Sequence, residues 1–233
     1  MKKIILLIVS AITVNVSMAQ LSFGIQAGAN IAFGKITVDD TGLPTLFTND
    51  PKIGITGGFL AEIPISEKLA FRPEINFIQK GSKTNTTLSI FNEFHKITLN
   101  YIEIPLNVVY KMRAGRGNFF FGLGPTLSIG ISGKEKITND YDPTKDTIVD
   151  VKFDGKNSDN LASNDESRHL KRFDAGANIL AGYKLPMGLF IKLGYTYNFL
   201  NIDPNKNNGY KNRGFNICVG YMLFDSKAKA PSD

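Results

Sequence analysis

YIEIPLNVVYKM (101–112), RAGRGN (113–118) and FFFGLGPTLSIGIS (119–132) follow one another in the chain, and their spacing decides the fold. From Ile102 the apolar residues fall at every second position: Ile102, Ile104, Leu106, Val108 and Tyr110. After the Gly-containing hexapeptide they do so again, at Phe119, Phe121, Leu123, Pro125, Leu127, Ile129 and Ile131. A period of two marks a β-strand, because successive side chains leave opposite faces of the backbone. The alternate positions include Glu103, Asn107, Lys111, Gly122, Gly124, Thr126 and Ser128. The segment reads as a hairpin with one apolar face and one small or polar face, which suits a barrel wall whose outside meets hydrocarbon.

The same pattern extends in both directions. It predicts eight strands, at about 21–33, 53–65, 69–82, 94–112, 119–132, 169–185, 189–199 and 213–224. A three-residue turn at 66–68 sets an antiparallel register in which Glu62 faces Arg72. In the fourth strand Ile97, Leu99 and Tyr101 are odd while Ile104 onward are even, so keeping the apolar row on one face predicts a β-bulge near Tyr101-Ile102. The tracts at 34–52, 83–93, 133–168 and 201–212 read as polar loops, and the last residues, 225–233, as a disordered tail.

The N-terminus, MKKIILLIVSAITVNVSMAQ, combines Lys2 and Lys3, a mostly apolar run from Ile4 to Val16 and a small-x-small site at Ser17-Met18-Ala19. This is the pattern of a signal peptide cleaved after Ala19, leaving a domain at 20–224. The run is too short and too interrupted to be a membrane helix, and no later stretch is long and apolar enough to be one. Cys218 is the single cysteine, so the fold cannot rest on an intramolecular disulfide. The net charge of +6 is spread over turns and loops, without the basic and aromatic clustering of a nucleic-acid surface.

Alternation alone does not say which face is outside, since a soluble lipocalin-like barrel would bury the apolar set. Three features favour lipid. Predicted connections alternate between short turns and long polar loops, as in outer-membrane barrels. Aromatic residues crowd the strand ends on the apolar face. The opposite face carries Gly, Ser, Thr and Asn with charges of both signs, namely Glu62, Arg72, Glu74, Glu103, Arg172, Asp174 and Lys192. These seven form a candidate interior charge network, because eight strands leave a lumen that side chains fill. The expected fold is therefore all-β: a closed eight-stranded antiparallel up-and-down transmembrane barrel following a cleaved signal peptide.

Candidate chemistry is sparse. The two histidines, His95 and His169, fall near predicted strand starts, with Glu93, Asp165 and Glu166 as nearby carboxylates, yet no catalytic motif joins them. Asp140, Asp142 and Asp146 have calcium-loop spacing, but Lys145 and Val151 stand where an EF-hand needs Gly and Glu. Neither catalytic, cofactor-binding nor metal residues are expected.

Tyr101-Ile102-Glu103-Ile104-Pro105-Leu106, Gly122-Leu123-Gly124-Pro125 and Phe173-Asp174-Ala175-Gly176, with the leader ending in Ala19-Gln20, resemble the PorT-like outer-membrane β-barrel proteins. The likeness spans the mature chain. It implies a small barrel of the OmpA and OmpX architecture in a Gram-negative outer membrane, with some relatives linked to type IX secretion and gliding. It supplies no catalytic residues, and the chain departs from the pattern in running nine residues past Phe224. The resulting expectation is a non-enzymatic barrel surrounded by outer-membrane lipid, with no nucleic-acid partner, that contacts a protein through its extracellular loops. A lipid- or peptide-modifying barrel enzyme and a lipocalin-like soluble barrel are the alternatives.

Overall fold

A computed structural model describes residues 21–38, 46–88, 91–139, 144, 146–157, 165, 167–205 and 208–224. The predicted leader, 1–19, and tail, 225–233, lie outside the described residues. Eleven strands form one sheet: β1 (Ser22–Val38), β2 (Leu46–Asp50), β3 (Lys52–Pro64), β4 (Leu69–Leu88), β5 (Phe91–Ala114), β6 (Gly117–Asn139), β7 (Thr147–Lys152), β8 (Arg168–His169), β9 (Phe173–Lys184), β10 (Leu189–Asn198) and β11 (Asn208–Phe224). Eight of them follow one another in a ring, β1-β3-β4-β5-β6-β9-β10-β11, and β11 pairs back onto β1. Every pairing in this ring is antiparallel.

The turns at one end are tight. Ile65 N–H donates to Leu69 O at 2.8 Å, and Leu69 N–H to Ser66 Oγ at 3.1 Å. Gly115 and Gly188 turn the other two hairpins with φ of 59° and 94°, a region that a side chain disfavours. At the opposite end the strands outgrow the sequence reading. β4 and β5 continue to Leu88 and from Phe91, so much of 83–93 is paired strand rather than loop. The tract 133–168 supplies the end of β6, all of β7 and the start of β8. β2 lies on the edge of β4, and β7 on the outer stretch of β6. A broad sheet therefore stands above one side of the ring.

The apolar row faces outward. Phe121, Leu123 and Leu127 are 47, 69 and 53% exposed, while Glu62 and Arg72 between strands are 4 and 2% exposed. That arrangement is the reverse of a soluble barrel, and it removes the lipocalin-like alternative. A charge on this face should be costly in lipid. Leu123→Arg is expected to destabilise the barrel by about 2–4 kcal/mol in vesicle refolding equilibria, because a mid-membrane arginine facing lipid has lost its water; an unchanged midpoint would move Leu123 out of the hydrocarbon.

The bulge differs from the sequence reading in its strand. Pairing shifts from Asn100 with Ser132 to Tyr101 with Gly130, so the extra residue is Ile131 on β6. Ile131 and Ser132 are both exposed, and the inward row of β6 changes from even to odd numbers across them. β5 keeps one parity: Ile97, Leu99 and Tyr101 are buried inside, in line with Glu103 and Asn107. The sequence reading keeps the greasy row facing out, whereas the lumen beyond the polar middle is itself apolar.

Candidate functional site: the packed lumen and its cap

Inward side chains form layers along the bore. Near the tight-turn end Arg72 donates to Glu62 at 2.5 Å, Lys111 reaches the second Glu62 oxygen at 2.5 Å, and the Arg72 guanidinium lies 4.3 Å from the Phe120 ring centroid. An apolar layer of Leu60, Val109, Phe120, Leu180, Phe190 and Met222 adjoins it. The polar middle follows. Glu74 Oε2 accepts from Lys192 Nζ at 2.7 Å, Gln26 Nε2 at 2.7 Å and Asn76 Nδ2 at 3.0 Å. Lys80 sits 2.5 Å from Glu103 and donates to Ser128 at 3.0 Å. Asp174 accepts from Asn198 and, at 2.9 Å, from Asn212.

Of the seven residues proposed from sequence as an interior network, Glu62, Arg72, Glu74, Glu103, Asp174 and Lys192 are buried inside the ring. Arg172 is the exception. It precedes β9, is exposed, and donates from Nε to the Phe153 carbonyl at 3.2 Å. Sequence parity put it inward, but the strand begins only at Phe173, so alternation does not reach it. Lys80 and Lys111 complete the network. Their signal was available in the inward parity of β4 and β5.

The mouth above this layer is closed by residues 147–157 and 168–170. Phe153 is 6% exposed and stacks edge-on against Tyr101 at 5.4 Å. Its ring occupies the space over Gly130, where an added Cβ would come within 2.4 Å of it. Ile78, Ile97, Leu99, Val151, Leu170, Ile202 and Tyr210 finish a dry cluster. Tyr210 and Ser82 share a hydroxyl contact of 3.2 Å beside it. A tract that looked like a solvated loop thus contributes a hydrophobic stopper. Phe153 within VKF was its one sequence signal.

Charged groups pin the cap at its rim. Glu135 receives Arg168 Nη1 at 3.0 Å and lies 2.9 Å from His95 Nδ1. His169, 3% exposed, has Nδ1 2.8 Å from Asp154 and Nε2 3.4 Å from Asp165, which Lys152 also holds at 3.0 Å. Both histidines are structural neighbours of carboxylates in the cap. Of the calcium-spaced aspartates, Asp140 and Asp142 lie outside the described residues, and Asp146 is 3.5 Å from Lys136. Glu166 and the Glu93 side chain also lie outside them.

Burial pushes the Glu135 carboxyl up, but the His95 hydrogen bond and the Arg168 charge outweigh it and hold the group below its ordinary value. For Asp154 the His169 bond likewise overrides desolvation, and Lys152 holds Asp165 low. Carboxylates with depressed values stabilise the folded form above the ordinary carboxylate range, and that contribution is lost as pH falls through the folded value. Protection of the cap amides against hydrogen exchange, taken relative to their intrinsic rates, should therefore fall below about pH 4. Glu135→Gln should flatten most of that acid step, and an acid step of the same size in the variant would assign it elsewhere.

The family model for the outer membrane protein beta-barrel domain matches residues 13–203. Among solved structures, the chain resembles the outer membrane protein OprG from Pseudomonas aeruginosa at 13% identity and TM-score 0.47, over 88% of this chain and 96% of that one. It also resembles Neisserial surface protein A at 13% identity and TM-score 0.43, over 86 and 97% of the two chains. The attachment invasion locus protein Ail of Yersinia pestis, solved with the heparin analogue sucrose octasulfate, aligns at 13% identity and TM-score 0.38 over 88 and 99%. No curated protein matches in sequence. With its outward apolar belt and packed bore, the chain belongs to the outer membrane protein β-barrel domain family and resides in the bacterial outer membrane.

Proposed function

We propose that this is a non-enzymatic barrel of the PorT-like kind, exported by the leader at 1–19 and anchored in lipid so that its outer sheet and cap engage a protein partner, as a component of a secretion apparatus. The observation that carries this reading is the placement of elaboration. Among the described residues the bore is filled by two apolar layers and an ion-paired middle, as side chains fill an eight-stranded lumen. β2, β7 and the long ends of β4, β5 and β6 instead build a sheet beyond the ring, on the side opposite the tight turns. Short turns face the periplasm in barrels of this class, which puts the sheet at the cell surface.

A photo-crosslinker at Ile148, 64% exposed on β7, is expected to give a discrete protein adduct in cells, while one at lipid-facing Leu123 should not. Absence of any adduct across β7 and the outer ends of β4 to β6 would remove the partner-binding reading. The non-enzymatic part predicts that lipid and peptide substrates incubated with the purified barrel are recovered unchanged; turnover lost in His95→Ala or His169→Ala would overturn it.

A further inference from the structure

Charge is paired in the middle of the bore, while Lys52, buried farther out, faces the like charges of Lys96 and Lys83. Inside, Arg72, Lys80, Lys111 and Lys192 each have a carboxylate within 2.7 Å. On the outer face of the raised sheet, Lys83 on β4 pairs directly across from Lys96 on β5, and Lys96 directly across from Lys136 on β6. Directly opposed residues of antiparallel strands share a face, with Cβ atoms about 5 Å apart, and like charges there repel. All three lysines are exposed, and Lys134 on the same strand as Lys136 is exposed beside them. Lys136 has Asp146 at 3.5 Å. Asp50 and Asp150 lie across from Lys83 and Lys134, but among the described residues no ion pair forms to Lys83, Lys96 or Lys134. The Cβ atoms, about 5 Å apart, lie inside a Debye length of about 8 Å, so salt only partly screens charges carried on this row.

The height of this row above the membrane identifies what would neutralise it. The outermost row that is apolar on all three strands is Phe77, Ile102 and Ile129, which face one another, with Ile131 and Phe94 as isolated exposed apolar residues farther out. Next outward comes an amide ladder: Gln79 donates to Asn100 at 3.2 Å and Asn100 to Ser132 at 2.9 Å. Such a ladder suits the boundary where hydrocarbon gives way to polar groups. Lys134 is level with Thr98, four residues beyond Ile102, and the lysine row is level with Lys96, six residues beyond. At about 3.4 Å per residue and a tilt near 40°, these heights are about 10 and 15 Å above the hydrocarbon edge. Lysine stems bend to place their ammoniums in the interfacial layer.

We propose that Lys83, Lys96 and Lys136, with Lys134, form a binding surface for the phosphate groups of an outer-leaflet glycolipid, clamping the barrel's tall wall to the lipid that surrounds it. The proposal rests on the membrane location and on the orientation with the short turns in the periplasm, and not on any protein partner, so it stands or falls separately from the partner reading. Each ammonium near an anionic lipid surface contributes on the order of a few-fold in affinity, and three together roughly a hundredfold.

The test uses the full mature chain refolded in detergent and titrated with lipopolysaccharide, with the same lipopolysaccharide after dephosphorylation, and with soluble heparin. Wild type is expected to retain the phosphorylated glycolipid, with affinity falling as salt rises. The triple variant Lys83→Gln, Lys96→Gln, Lys136→Gln should bind it roughly a hundredfold more weakly, while the corresponding arginine variant binds as wild type. A heat-modifiable gel shift shows that each variant still folds, as exposed lysines allow. Equal binding of the dephosphorylated glycolipid, or undiminished binding by the triple glutamine variant, would overturn the proposal. So would heparin binding that is tighter than glycolipid binding and is lost in the variant, because the row would then be a receptor for soluble polyanions.

Discussion

Lys192→Met is expected to lower barrel stability by about 3–5 kcal/mol, measured as the urea midpoint of the protein refolded in vesicles. The reason is the partner it abandons. Glu74 is 2% exposed, and among the described residues Lys192 at 2.7 Å is the one cation bonded to it; Gln26 and Asn76 donate to the same oxygen but carry no charge. An unpaired carboxylate in so dry a place loses its hydration without compensation. The double variant Glu74→Leu, Lys192→Met removes the stranded charge and should recover most of the loss. A remainder of about 1–2 kcal/mol is expected because the Gln26 and Asn76 amides lose an acceptor. If the single variant changes stability by less than about 1 kcal/mol, water reaches Glu74 and the bore is not sealed as described.

Phe153→Ala should detach the cap while leaving the ring intact. The ring of Phe153 fills the hollow above Gly130 and meets Tyr101 edge-on, so its removal empties a site that nearby strands are too constrained to collapse into. Truncation of a buried phenylalanine costs about 3–5 kcal/mol. Here the loss falls on cap docking, because the ring strands are held by their own ladders. Amide exchange at 147–157 should accelerate by two or more orders of magnitude, and protease should cut there, while exchange in β9 to β11 stays slow. Gly130→Leu should act in the same way from the other side, by displacing Phe153. Unaltered exchange in both variants would show that Arg168, Arg172 and the histidine pairs hold the cap without the stopper.

These two experiments probe parts of the molecule that differ in how far sequence foretold them. The Glu62 to Arg72 contact follows from the three-residue turn at 66–68: once Leu69 is hydrogen bonded back to Ile65, the register of β3 and β4 is set, and the two charges must meet. The cap did not yield to the same reasoning. Residues 133–168 are polar in composition, and strand pairing there depends on β6 running past Ser132 through a bulge at Ile131. Local propensity carries no record of that pairing.

Alternation with period two determined that this chain makes strands, how many cross the membrane, and where the tight turns fall, because the alternation of side chains across a strand is a property of the backbone. Outward placement of Leu123 and inward placement of Glu74 also follow from it, once the aromatic and loop asymmetries name the lipid side. What Ile97, Leu99 and Tyr101 do was decided only when eight strands came together. Their parity is that of Glu103, so they point into the bore, and they are tolerated there because Phe153, Leu170 and Ile202 arrive from distant positions to keep water out. The lysine row has the same origin: Lys83, Lys96 and Lys136 are scattered in the chain, and antiparallel register alone brings them side by side.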